Sequence, residues 1–185
     1  HNKYILSKDI DKSIVNISDI LEIIADEAVA ISKERHMQIK LEIESNLPTI
    51  KINWEAFHLM ITNIVMNSIR FTKDFGTIII GARHSAFQQE EVNGKESIVV
   101  YIQDNGIGIP QHELKKVFQK FYELSEIYSH SSGTVEFKSS GLGLGLSTAG
   151  IIAKLHDGKI WINSRVKEGT TVFIAIPIIE EDVSK

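Results

Sequence analysis

Three clusters in this chain carry residue types and spacings suited to chemistry. In the first, Asn63-Ile-Val-Met-Asn67-Ser-Ile-Arg70-Phe71-Thr72, two amides lie four residues apart and share one face of a helix. Carboxamides so placed either coordinate a hard cation through their oxygens, bind phosphate through their NH2 groups, or cap neighbouring backbone. The second, Asp104-Asn105-Gly106-Ile107-Gly108-Ile109-Pro110, follows a strand-like run and precedes a helix-like one. A carboxylate there can accept a hydrogen bond from an exocyclic amine, and the glycines permit positive φ and close approach of a ligand. A tight strand-to-helix turn explains the same residues. The third, Gly141-Leu142-Gly143-Leu144-Gly145-Leu146-Ser147, opens a helix. Its backbone NH groups and helix dipole suit a phosphate chain, with a flexible hinge as the other reading. It lacks the Gly-Lys-Ser/Thr ending of a P-loop and follows no strand, as a dinucleotide-binding turn must.

The elements that position these clusters are legible from periodicity. Ser18 and Asp19 offer N-cap chemistry for a helix carrying Ile20, Leu21, Ile24, Ala28 and Ile31 at helical spacing. Ile39, Leu41 and Ile43 alternate with charged residues as a half-buried strand does, and Thr49–Ile52 forms a short strand after Pro48. Asn53 caps a helix through Phe57, Met60, Ile61, Ile64, Val65 and Ile69. Strands are expected at Thr77–Ala82 and Ile98–Gln103, with a hairpin-type turn at Asn93-Gly94 between them. A helix over Gln111–Phe121 follows Pro110, and Tyr122–Ser140 is a polar connection of a length usually reserved for functional loops. The glycine-opened helix stops near Gly158, and two strands, Lys159–Ser164 and Thr170–Ile176, follow. Strands arriving in pairs imply an α+β architecture: a mixed, mostly antiparallel sheet covered on one face by helices. His1–Asn16 is polar and helix-prone and does not read as core.

Composition narrows the function classes. The 185 residues suit one compact domain, and 43% hydrophobic residues suffice for a real core. Cysteine is absent, which excludes disulfides and thiolate metal sites. A net charge of -4 without any basic block argues against nucleic-acid binding. No apolar run approaches the ~20 residues that span a bilayer, and none reads as a signal peptide. The expectation is a cytoplasmic domain, compatible with an intact protein anchored to a membrane.

Taken in order, the clusters resemble the N, G1 and G2 boxes of sensor histidine kinase catalytic domains, within the GHKL ATPase superfamily. Phe118-Gln-Lys-Phe121-Tyr122 stands where that family has its F box. His156-Asp157-Gly158-Lys-Ile-Trp-Ile, Gly169-Thr170-Thr171 and Pro177 also fall at the family's spacing, so the resemblance covers about Ile17 to Ile179. It implies a two-layer Bergerat-type ATP-binding fold and ATP with Mg2+ as ligands. Asn67 would ligate Mg2+, with Asn63 close to the metal or phosphates. Arg70 would contact phosphates, Phe71 would pack near adenine, and Asp104 would accept the adenine amino group. Gly106 and Gly108 would shape that pocket. Gly141, Gly143 and Gly145, with Leu144 between the last two, would open the phosphate cradle, and Thr170 would support adenine through its hydroxyl. Lys138 and His130-Ser131-Ser132 lie in the expected lid, about 122–140, where they either meet the γ-phosphate or belong to a plain solvated loop. Leu142 departs from the Thr or Ser usual at its place, and Asn53 from the usual Asp.

Superfamily members that hydrolyse ATP carry a Glu four residues before the metal-binding Asn. Here Asn63 stands at that position, and an amide cannot serve as a general base. The resemblance therefore implies phosphoryl transfer to a histidine. None of the seven histidines has the family's His-acidic pattern with a following Pro. Residues 1–16 are accordingly expected to be the stub of a dimerisation and phosphoacceptor helix, and 17–185 the catalytic domain. The expected partners are that dimerisation domain and a response regulator receiver domain. The intact protein would be a homodimer and this chain alone a monomer that binds Mg-ATP without phosphorylating itself. The other readings are a non-catalytic nucleotide-binding regulatory module and a GHKL-type ATPase.

Overall fold

A computed structural model describes residues 4–7, 10–117, 134–137 and 144–179. Nine strands are described: β1 (Tyr4–Ser7), β2 (Ser13–Val15), β3 (Gln38–Ile43), β4 (Ile50–Ile52), β5 (Thr77–His84), β6 (Ser97–Asp104), β7 (Thr134–Phe137), β8 (Lys159–Arg165) and β9 (Gly169–Pro177). The helices are α1 (Ile17–Ser32), α2 (Trp54–Phe71), α3 (residues 111–117 as described) and α4 (Leu144–Leu155).

Five strands form the main sheet in the order β3-β5-β6-β9-β8, with β3 parallel to β5 and every other pair antiparallel. The side chains alternate as a pleated sheet requires. Ile78, Ile80, Ile98, Val100, Ile102, Val172, Ile174 and Ile176 point to one face and are fully or nearly fully buried. Against them pack Ile20, Leu21 and Ile24 of α1, Phe57, Met60, Ile61 and Ile64 of α2, and Ala149 and Ile152 of α4. The expected α+β two-layer sandwich is what the chain forms.

The ends of α2 explain where the first cluster sits. Asn53 caps its start, its side chain accepting from the Ala56 N–H at 2.9 Å. At the other end the Arg35 guanidinium donates to the carbonyls of Ile69 and Thr72 and pairs with Asp74 at 2.7 Å. Those carbonyls have no partner within the helix, so a distant arginine stops α2 at Phe71. His156, only 2% exposed, ties α2 to α4. Its Nε2 accepts from the Asn53 N–H at 3.0 Å, and its Nδ1 donates to the Ile152 carbonyl at 2.7 Å.

Some sequence expectations change. The cap of α1 is Asn16, whose side chain accepts from the Ser18 N–H at 3.0 Å, so the helix begins at Ile17, before Ser18 and Asp19. Within the helix-prone stretch His1–Asn16, Tyr4–Ser7 and Ser13–Val15 are strands, not helix. Ser13–Val15 pairs antiparallel with Ile50–Ile52, where β-branched side chains favour a strand edge. Lys12 also pairs with Asp157 at 3.2 Å, and the Asp11 carbonyl accepts from the Asn53 side chain. Of the expected lid, Thr134–Phe137 is a strand paired antiparallel with Tyr4–Ser7. The F-box residues, Lys138 and the rest of that segment lie outside the described residues. Gly158 follows α4 as expected, but the left-handed residue is Asp157 (φ 57°). Gly158 is required for close approach, since a Cβ there would meet the Ala175 carbonyl at 2.5 Å.

Asn93-Gly94 forms the expected two-residue turn, both residues at positive φ between the bridged Val92 and Lys95. This excursion folds over the helix-free face of the sheet, where Val92, Val99 and Ala175 form a second small core beside Trp161 and Phe173.

Candidate functional site

At one end of the sheet the last inward-facing positions are polar. The register aligns Asp104 of β6 with Thr170 of β9, and Thr170 with Ser164 of β8. All three therefore point toward the helix layer, where a cavity of about 370 Å³ opens. Ile64, Asn67, Ser68 and Phe71 of α2 form one wall, the 104–110 segment and α3 another, and Leu146 of α4 with Val172 closes it. The lining is mostly apolar with a few convergent polar groups, the usual anatomy of a small-molecule site.

Asp104 is 8% exposed. Its Oδ1 accepts from the Gly106 N–H at 2.9 Å and the Thr170 N–H at 3.2 Å, and the Ser68 hydroxyl donates to the same carboxylate. Burial pushes this carboxyl above its ordinary value, and the hydrogen bonds from Gly106, Ser68 and Thr170 oppose the shift. Such a group keeps acceptor capacity for a ligand in a poorly solvated setting.

Two glycines shape the loop beside it. A Cβ on Gly106 would meet the Phe71 carbonyl at 2.4 Å, and that carbonyl accepts from the Ile107 N–H. Gly108 has φ +70°, and a Cβ there would lie 1.9 Å from the Arg165 carbonyl. The loop is thus clamped between the end of α2 and the β8–β9 turn, with a further bond from the Lys167 N–H to the Ile107 carbonyl.

Of the residues singled out from sequence, Asn67, Phe71, Asp104, Gly108 and Thr170 line this one cavity, and Gly106 supports its wall. Gly145, in the first turn of α4, faces Asn67: a Cβ there would come within 3.3 Å of the Asn67 Nδ2. That nitrogen is buried and has no hydrogen-bond partner among the described residues. Asn63 is half-buried and Arg70 exposed, and neither lines the cavity. Leu144 begins α4, whereas Gly141, Gly143 and Lys138 lie outside the described residues.

Sequence reasoning missed Ser68, Ser164, Ile107, Ile109, Leu146 and the Glu113–Lys116 ion pair (2.9 Å) at the rim. Ser68 carried a signal, as a hydroxyl within the buried stripe Ile61, Ile64, Val65, Ile69 of α2. Ser164 carried none, because its neighbours come from strand register.

Residues 52–180 match the family model described as histidine kinase-, DNA gyrase B-, and HSP90-like ATPase. The chain is 28% identical over 162 residues to the adaptive-response sensory kinase SasA of Synechocystis sp., covering 88% of this chain and 38% of that protein. It is 26% identical to the sensor histidine kinase WalK of Bacillus subtilis, covering 82% and 22% respectively. The chain therefore spans well under half the length of these relatives. The solved structure of full-length ShkA in complex with AMPPNP superimposes with a TM-score of 0.70 at 18% identity, over 94% of this chain and 32% of that one. Its likeness supports the same fold. With the family match covering most of the chain, this protein belongs to the histidine kinase-, DNA gyrase B- and HSP90-like ATPase family.

Proposed function

We propose that this chain is the ATP-binding catalytic domain of a sensor histidine kinase, transferring the γ-phosphoryl group of ATP to a histidine on a dimerisation domain. The observation that carries the reading is the convergence of Asp104, Thr170 and Asn67 on one cavity in a chain of this family. The named kinase relatives and the AMPPNP complex of ShkA support it.

In this reading the purine base enters between Phe71, Ile109 and Val172, and its amino group donates to Asp104. The phosphates run toward α4, where Gly145 leaves room beside Asn67. Arg70, exposed at the last turn of α2, would reach the phosphate chain from the rim. Among the described residues no three His, Cys, Asp or Glu side chains gather to hold a metal. The Asn67 Nδ2, a donor with no hydrogen-bond partner among the described residues, fits a phosphate oxygen, and its Oδ1 would serve a Mg2+ ion that keeps waters and phosphate oxygens as most of its ligands. Asn67 would hold that ion, with Asn63 one turn earlier. When bound, the ion neutralises charge on the phosphates. Asn63 offers no carboxylate to take a proton from water, which favours transfer over hydrolysis.

Residues 1–16 would lead from the dimerisation domain, 17–185 form the catalytic unit, and a response regulator receives the phosphoryl group. The test is a trans-phosphorylation assay with labelled ATP. Label should appear on an added dimerisation domain carrying the phosphoacceptor histidine and not on this chain alone. Label on the isolated chain, or free phosphate as the sole product, would overturn the proposal.

A further inference from the structure

Three contacts converge on the Ser164 hydroxyl at the polar end of the cavity. The Ile109 N–H lies 2.8 Å from its oxygen, the Gly169 carbonyl 3.0 Å and the Thr170 Oγ1 2.7 Å. A serine hydroxyl has one proton and two lone pairs. The Ile109 amide only donates and the Gly169 carbonyl only accepts, so the Ser164 proton goes to Gly169. The contact with Thr170 then needs the threonine's own proton, directed at Ser164 Oγ. With its proton so engaged, Thr170 Oγ1 keeps only lone pairs for the cavity. Asp104 beside it is an acceptor when ionised. The polar end of the cavity therefore presents acceptors from both side chains.

We propose that Ser164 is a positioning residue for base selectivity: by taking the Thr170 proton it leaves an acceptor-only edge that selects a purine bearing a 6-amino group over one bearing a 6-oxo group. This rests on the ATP-binding reading above and adds to it the residue that sets the hydroxyl's direction. At position 6 a 6-oxo purine places its own acceptor directly against these oxygens, and the repulsion is not relieved while Ser164 holds the proton. Without Ser164 the Thr170 hydroxyl rotates and can donate into the cavity.

The experiment is calorimetric titration of this chain with Mg-ATP and with Mg-ITP, reading the ratio of the two dissociation constants. Ser164→Ala should narrow the preference for ATP by about fivefold to tenfold, the worth of one hydrogen bond, while Ser164→Thr keeps it within about twofold. In a Thr170→Val background Ser164→Ala should leave the ratio unchanged, because nothing remains for it to orient. Ser164→Cys preserves the volume should the alanine variant lose its fold, and it should shift the ratio in the same direction. Equal weakening of both nucleotides in Ser164→Ala would mean that the serine only braces the loop, and would overturn the proposal. Equal binding of both by the unmodified chain would overturn it too, leaving the ATP site intact. Binding of neither would defeat the nucleotide reading itself.

Discussion

Replacing Asp104 by Asn separates the two demands placed on that carboxylate. Its Oδ1 is pinned by the Gly106 and Thr170 N–H groups, so an asparagine must put its oxygen there and its NH2 where the second carboxylate oxygen was. A donor then faces the purine amino group, itself a donor. The lost charge-assisted bond is worth about 1.5–3 kcal/mol, or roughly a 10- to 150-fold weaker dissociation constant for Mg-ATP. Stability should move the other way. Burial raises the folded-state pKa of Asp104, so its contribution is largest at low pH and is lost as pH rises through the carboxylate range. A neutral amide keeps both backbone bonds and can donate to Ser68, so the variant should melt at or above the parent temperature at pH 7. Calorimetry and thermal melting of the two proteins measure both effects. Unchanged ATP affinity would remove Asp104 from base recognition. A variant less stable by about 1 kcal/mol or more would refute the burial argument.

The other predictions concern the loop, the amide and the buried histidine. Gly108→Ala combines a positive-φ cost of about 1–2 kcal/mol with a clash of about 1–3 kcal/mol against the Arg165 carbonyl, and denaturant melts should show a loss of about 2–5 kcal/mol with weakened nucleotide binding. Asn67→Ala should change stability by less than about 0.5 kcal/mol, since its buried Nδ2 has no partner to lose among the described residues, yet abolish the Mg2+-dependent part of ATP affinity measured with and without EDTA. Burial holds the His156 imidazole below its ordinary value, so its contribution is fully present above about pH 6.5 and falls away as pH drops below that, by at most about 1.4 kcal/mol per pH unit. Melting temperatures from pH 7.5 to 5 should fall in the parent and flatten over that window in His156→Gln; parallel slopes would exclude His156 as the source.

Local chemistry was enough for much of this protein. The apolar spacing along Ile17–Ser32 and Trp54–Phe71, the Asn53 cap, the Asn93-Gly94 turn and the β-branched runs all specify elements within a few residues of themselves. The glycines at 106 and 108 and the carboxylate at 104 fit a ligand pocket or a tight turn equally from local chemistry, and both glycines are required by close approach of backbone. Two boundaries failed for different reasons. Asn16 displaced Ser18 and Asp19 as cap through a bond only two residues long, and Ser13–Val15 became a strand because the distant β4 offers it an edge.

Only the tertiary structure could bring Ser164 beside Thr170 and both beside Asp104, since strand register joins positions up to 66 residues apart and a one-residue slip would turn each to the opposite face. The same holds for Arg35, which ends α2 from 34 residues away, and for Val92, Val99 and Ala175, which meet on the helix-free side of the sheet. Helices and turns are local free-energy minima that a short stretch of chain can select. Hydrogen-bond direction at a shared hydroxyl depends on every group around it, and those groups are assembled only when the sheet closes.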